Sequence, residues 1–147
     1  DRFPWKWRTS TVAAPLSGRF EVRFHFEEPP DEQWFFDSVL SLSTIDHFDP
    51  VTGLFQNRCA GTARPFPDSE VAIGLMSPGL IGVTSKNHDV VATGSPALRL
   101  TRDSQGLMRL FDGKTVVWTS SKPMPGDYRI VLHEWTHIVI DSIRVLY

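Results

Sequence analysis

Five residues near the C-terminus, His133-Glu134-Trp135-Thr136-His137, spell H-E-x-x-H. On a helix this spacing puts both imidazoles on one face about one turn apart, where they bind one zinc ion. The glutamate then serves as general base for a zinc-bound water. The flanks argue against a helix. Tyr128-Arg129-Ile130-Val131-Leu132 and Ile138-Val139-Ile140 are rich in β-branched side chains and alternate as strands do. On one continuous strand, positions four apart lie about 13 Å from each other, too far to share a metal. If residues 134–136 make a tight turn instead, the histidines sit on neighbouring strands, in a geometry unlike that of the zinc peptidases. A third ligand is also missing: the extended motif needs Gly where Ile140 stands and His where Ile143 stands, and no glutamate follows Glu134. The expectation is two polar residues on the outer face of a terminal hairpin. A zinc hydrolase using His133, Glu134 and His137 is kept as an alternative.

Other residues suit binding better than catalysis. Trp5 and Trp7 share one face of an extended segment with Lys6 opposite, and Trp34 and Trp135 are further flat aromatics that can stack on the apolar face of a sugar ring. These four tryptophans are the expected ligand-binding residues, although in the N-terminal segment they can equally staple a strand to the core. Trp118 alternates with Val116 and is expected inside. Asp46 and Asp49, in Ile45-Asp46-His47-Phe48-Asp49-Pro50, can offer carboxylates to calcium or simply cap a turn. The cofactor expectation is therefore none, or one structural calcium. A glycosidase needs two acids about 5–10 Å apart, and on a sandwich these come from acids alternating along one strand. No glutamate here is followed by an acid two places on. Glu21 and Glu27 share the polar face of one strand with His25 and read as a solvated face, so no catalytic residue is expected. A sandwich hydrolase with an unusual carboxylate set remains an alternative.

The elements that would hold these residues are strands. The 147 residues are 41% apolar and 12% aromatic, enough for one domain with one core. The net charge of −2 gives no electrostatic footprint for nucleic acid. No window reaches the roughly 18 apolar residues of a membrane span, so no membrane insertion is expected. One cysteine, Cys59, excludes an intrachain disulfide and reads as a half-buried loop residue. A chain beginning at Asp1 is expected to be a domain cut from a longer protein, with neighbouring domains among its contacts.

In Phe20-Glu21-Val22-Arg23-Phe24-His25-Phe26-Glu27 the apolar residues fall on one face and the polar ones on the other, the pattern of a half-buried strand. Further strands are predicted over residues 34–44, 54–58, 71–76, 80–84, 90–92, 98–101, 107–111, 115–119, 128–133 and 137–145. Ser77-Pro78-Gly79 and Asp112-Gly113 are predicted as hairpin turns, and residues 86–89 as a polar turn. Ile138 and Ile140 share a face that Ile143 and Val145 leave, so a bulge near Asp141-Ser142 is expected. Many short strands with regular turns mean a sandwich or barrel.

The run Ala97-Leu98-Arg99-Leu100, Gly106-Leu107-Met108-Arg109-Leu110-Phe111-Asp112-Gly113-Lys114, Tyr128-Arg129-Ile130-Val131-Leu132 and Ile138-Val139-Ile140-Asp141-Ser142-Ile143-Arg144-Val145 resembles the concanavalin A-like lectin/glucanase superfamily, especially laminin G-like domains. Ser17-Gly18-Arg19-Phe20-Glu21-Val22-Arg23-Phe24 resembles the family's early strand. The resemblance implies an all-β, two-sheet antiparallel sandwich of jelly-roll type spanning residues 1–147. It also implies a lectin-like module for a glycan or protein ligand, sometimes with calcium, on an extracellular or cell-envelope protein. It carries no catalytic acids over.

Overall fold

The computed structural model describes residues 9–11, 15–27, 39–44, 69–77, 80–84, 88–133 and 138–146. Among these residues there is no helix. The strands are β1 (Thr9–Thr11), β2 (Arg19–Phe26), β3 (Val39–Thr44), β4 (Ser69–Ser77), β5 (Leu80–Thr84) and β6 (His88–Ala92), followed by β7 (Ala97–Arg102), β8 (Met108–Asp112), β9 (Thr115–Thr119), β10 (Tyr128–His133) and β11 (Ile138–Leu146). They form two antiparallel sheets, one of six strands in the order β1-β10-β3-β4-β5-β6 and one of five in the order β11-β2-β7-β8-β9. The expected two-sheet sandwich is present. The predicted strand over residues 54–58 lies outside the described residues.

Period-two patterning builds the layers. In β2 the side chains of Phe20, Val22, Phe24 and Phe26 enter the core with at most 4% of their surface exposed. From the facing sheet come Leu40 and Leu42 of β3, Ile73 of β4 and Ile130 of β10, all fully buried. Each such side chain contributes about 1.5–3 kcal/mol of burial free energy, so the core rather than any one bond drives the sheets together. Phe24 and Phe26 meet edge-on, ring centroids 5.9 Å apart.

The terminal hairpin is not formed. β10 lies in the six-stranded sheet between β1 and β3, while β11 pairs with β2 in the other sheet. Both strands bury one face in the same core from opposite sides, so the chain must change sheets between them. His133 closes β10, paired with Thr9. A zinc site of the helical kind is therefore not what this position offers, and residues 134–137 lie outside the described residues. The expected bulge is where the phase of the sequence requires it: the β11–β2 register slips between Ile140 and Ser142. Ile138 and Ile140 on one side, and Ile143 and Val145 on the other, all face β2's apolar residues across the ladder.

Two turns differ from expectation. Asp112 pairs with Thr115, so the β8–β9 turn is Gly113-Lys114, one residue later than predicted. Only Gly113 has positive φ, +61°, which is the II′ pattern with glycine first. Asp112 is left to accept the Gly94 N–H at 2.7 Å. Within the predicted polar turn at 86–89, His88 and Asp89 already belong to β6, and Asp89 pairs with Val83. Its carboxylate accepts the Trp118 indole N–H at 3.0 Å. That bond pins edge strand β6 of one sheet to edge strand β9 of the other, and Trp118 is buried as expected.

Arg102 ends β7 on the inward side of the alternation that buries Leu98 and Leu100. It is 4% exposed. Its Nε donates to the carbonyl of Gly18 at 2.6 Å, and its Nη1 to those of Met124 and Gly126 at 2.9 and 2.8 Å. The guanidinium also lies 4.9 Å from the ring centroid of Phe20 and 5.5 Å from that of Tyr128. Burial lowers its pKa from the ordinary arginine value, opposed by Tyr128 and Asp127. Replacing it by an apolar isostere removes the charge but strands three carbonyls. Arg102→Met is expected to lower the unfolding free energy by about 3 kcal/mol in urea titrations. Arg102→Lys should recover less than half of that, because an ammonium lacks the planar fork that reaches both loops.

Candidate functional site: the outer face of the five-stranded sheet

The alternation that sends Phe20, Val22 and Phe24 inward sends Glu21, Arg23 and His25 outward. Register extends this face across the sheet. Arg144 of β11 stands opposite Glu21, and Arg99 of β7 opposite Arg23. Arg99 in turn stands opposite Phe111 of β8, with Thr101 opposite Arg109. Phe111 faces Val116 of edge strand β9. With Arg19, which opens β2 on the same parity and stands opposite Leu146, five arginines thus stand on one sheet face of a chain whose net charge is −2.

Each cation is handled differently. Arg23 donates its Nε to Glu21 Oε1 at 2.7 Å, and Glu21 is nearly buried. Arg109 reaches Asp103 Oδ2 at 2.6 Å. The Arg99 guanidinium carbon lies over the Phe111 ring, 4.1 Å from its centroid, a cation–π contact. Among the described residues neither Arg99 nor Arg144 has a hydrogen-bond or ion-pair partner. Arg144 is exposed and Arg99 half-buried.

At the other end of β2, the bulge turns Asp141 toward His25. The His25 Nδ1 lies 2.9 and 3.0 Å from the two carboxylate oxygens of Asp141. A carboxylate only accepts, so Nδ1 carries the proton. Nε2 is left facing Glu27 Oε1 at 3.8 Å. This ties β2 to β11 across the irregular step of the ladder. Among the described residues no group of three or more His, Cys, Asp or Glu side chains is placed to hold a metal ion.

The residues singled out from sequence fall largely elsewhere. Trp5, Trp7, Trp34, Trp135, Asp46, Asp49 and Cys59 lie outside the described residues, as do Glu134 and His137. Glu21, His25 and Glu27 share a face as expected, but Glu21 is nearly buried rather than solvated. Arg99, Phe111 and Asp141 were not singled out, although strand parity with Arg23 and Glu21 places the first two on this face. No helix among the described residues is long and apolar enough to cross a membrane.

No protein-family model matches the chain, and no curated protein sequence matches it. Among solved structures it is similar to the TRIM65 PSpry domain, with a TM-score of 0.58 and 11% sequence identity. The match covers 93% of this chain and 72% of that one. At this identity what the two share is the β-sandwich fold.

Asp103 organises the turn beneath Arg109. Its Oδ1 accepts the N–H groups of Gln105 and Leu107 at 2.8 and 3.0 Å. The hydrogen bond from Arg109 holds its carboxyl below the ordinary aspartate value; burial opposes this, and the two backbone bonds add to it. A depressed folded-state pKa gives stability that is fully present above the unfolded value and lost as pH falls through the folded one. Asp103→Asn should therefore be less stable than the parent at neutral pH. Thermal melts at stepped pH should show the gap narrowing below pH ~4 and closing once the parent's Asp103 is protonated.

Proposed function

We propose that this chain is a non-catalytic binding module that recognises a macromolecular partner through its surface. The observation that carries the reading is the contrast between the two outer faces of the sandwich. On the six-stranded sheet Ser41 lies on the side away from the core, as its register with Ala72 and Val131 requires, yet it is fully buried. On the five-stranded sheet only Glu21 of the outer-face residues named above is buried, under Arg23, while Arg144 is exposed, Arg99 is half-buried, and neither of these two has a hydrogen-bond or ion-pair partner among the described residues. Hydrogen-bonding capacity held ready on a rigid sheet is the property of a recognition surface. The fold shared with the TRIM65 PSpry domain is compatible with this role, since a sandwich presents loops and faces on a fixed scaffold.

The finer form of the proposal is a jelly-roll module of concanavalin A-like, laminin G-like type on an extracellular or cell-envelope protein. Its ligand is then a glycan stacked on Trp5, Trp7, Trp34 or Trp135, or a protein, with neighbouring domains of a parent chain as further contacts. What supports the glycan version is the Trp5-Lys6-Trp7 spacing in the sequence. What supports calcium is the Asp46 and Asp49 pair.

Two measurements test this. Titration of tryptophan fluorescence with a panel of soluble polysaccharides and peptides is expected to give a saturable change with at least one member, and chromatography after overnight incubation should recover that ligand intact. New reducing ends or cleaved peptide would make the chain an enzyme. Separately, millimolar calcium should raise Tm in the parent and not in Asp46→Ala/Asp49→Ala; equal Tm values with and without calcium would remove the metal from the proposal.

A further inference from the structure

The geometry points to one occupant for the open face. We propose that the outer face of the five-stranded sheet docks an acidic peptide segment of a partner protein, whose Asp and Glu carboxylates are received by Arg99 and Arg144. The inference rests on the binding-module reading and deepens it by naming the surface and the partner's chemistry.

Charge complementarity is the first argument. Of the five arginines on the face, Arg19 has an interaction of its own, and Arg23 and Arg109 are already engaged by Glu21 and Asp103. Arg99 and Arg144 are not engaged among the described residues. The Phe111 ring holds the Arg99 guanidinium carbon 4.1 Å from its centroid, and the N–H groups of Arg99 have no hydrogen-bond partner among the described residues. A planar fork held in this way suits a carboxylate, which it meets with two parallel hydrogen bonds.

Spacing is the second argument. Arg144 lies on β11 and Arg99 on β7, with β2 between them. Arg144 is level with Glu21 and Arg99 with Arg23, so two strand spacings and a two-residue offset put their backbones about 12 Å apart. One small carboxylate cannot serve both, so the ligand carries several acids along a chain.

The third argument decides between kinds of chain. A neutral sugar polymer would look for a free aromatic face on which to stack, and one face of the Phe111 ring already has Arg99 over it. On the same face stand Val116, opposite Phe111 and 46% exposed, and Val139, opposite His25 and 37% exposed. Apolar positions interleaved with guanidinium groups fit the mixed acidic and apolar side chains of a peptide better than the uniform polarity of an acidic glycan.

The test is fluorescence anisotropy of a labelled short oligoglutamate peptide titrated with the protein. An oligoglutamine of equal length and a polygalacturonate of matched carboxylate number compete in separate arms. Oligoglutamate is expected to bind, more weakly as salt rises, and better than either competitor. Arg99→Gln/Arg144→Gln should weaken binding about tenfold or more. Lys122→Gln/Arg129→Gln removes the same two charges from elsewhere and should change binding little. Arg144→Gln alone, at an exposed position, should still weaken binding severalfold if the double variant melts early. Arg99→Lys keeps the charge but loses the planar fork, and should fall between parent and double variant.

Absence of oligoglutamate binding would overturn the proposal, as would preference for polygalacturonate or equal loss in the two double variants. A ligand from the wider panel that binds Arg99→Gln/Arg144→Gln as tightly as the parent would overturn this face and leave the binding-module reading standing. No ligand from any arm or panel would sink both.

Discussion

The sandwich turns on a charge buried between its sheets. Arg102 sits at the end of β7, where the alternation of the strand calls for an apolar residue, and it is the one arginine among the described residues with almost no exposed surface. Removing a guanidinium from water costs several kcal/mol unless its donors are met. Here they are met by carbonyls from two separated stretches of chain, Gly18 before β2 and Met124 and Gly126 before β10. Those stretches lead into different sheets. The same residue also bridges the ring of Phe20, in the five-stranded sheet, and that of Tyr128, in the six-stranded one. Tyr128 further exchanges backbone bonds with Leu16 at 2.7 and 3.1 Å. One cation thus sets where both sheets begin, and a mis-set strand would leave it unpaired. Specificity of this kind comes from the penalty on the wrong arrangement more than from a gain in the right one.

At the opposite ends of the strands, register is adjusted by insertion. The bulge at Asp141 lets β11 keep four aliphatic side chains on the core face although the sequence changes phase between them. Without the extra residue, Ile143 and Val145, both partly buried against the core, would turn to solvent, and each would forfeit part of the about 1.5–3 kcal/mol that full burial gives. The bulged residue itself is released from the ladder, and its carboxylate accepts the hydrogen bond of His25 Nδ1–H. Core packing and a polar contact on the outer face therefore follow from a single irregularity. The Trp118–Asp89 bond does comparable work at the far edge, where β6 and β9 would otherwise part.

How much of this was legible in the sequence depends on range. Period-two alternation in β2 showed which residues face inward, and the phase change in β11 located the bulge, because both are properties of neighbouring residues. The Asp112-Gly113 turn was misplaced by one residue because Asp-Gly and Gly-Lys both satisfy a two-residue turn; what decides is which cross-strand pair, here Asp112 with Thr115, closes the ladder. The pairing of β10 with β3 and of β11 with β2 was not legible. A strand with one apolar face can lie in either sheet, and nothing local to residues 128–146 says which. The same holds for the site. Arg99 and Phe111 become a cation–π pair only once β7 and β8 are in register. Arg102 did leave a trace, as a cation at an apolar parity position, and that pattern marks a buried charge with partners elsewhere.

The outer face shows what the sheet tolerates. Arg23 and Arg99 stand directly opposite each other on β2 and β7, and like charges in that position repel. The sequence relieves this from both sides: Glu21 draws Arg23 toward one row, and Phe111 draws Arg99 toward the other. The repulsion is reduced by steering the two guanidinium groups apart, not by neutralising both. Arg99 therefore keeps its hydrogen-bond donors on a half-buried site, available to a carboxylate arriving from outside. A stabilising pattern would place an acid opposite Arg23. The observed pattern leaves the electrostatics of the sheet incomplete in isolation, and an anionic partner on Arg99 would complete it.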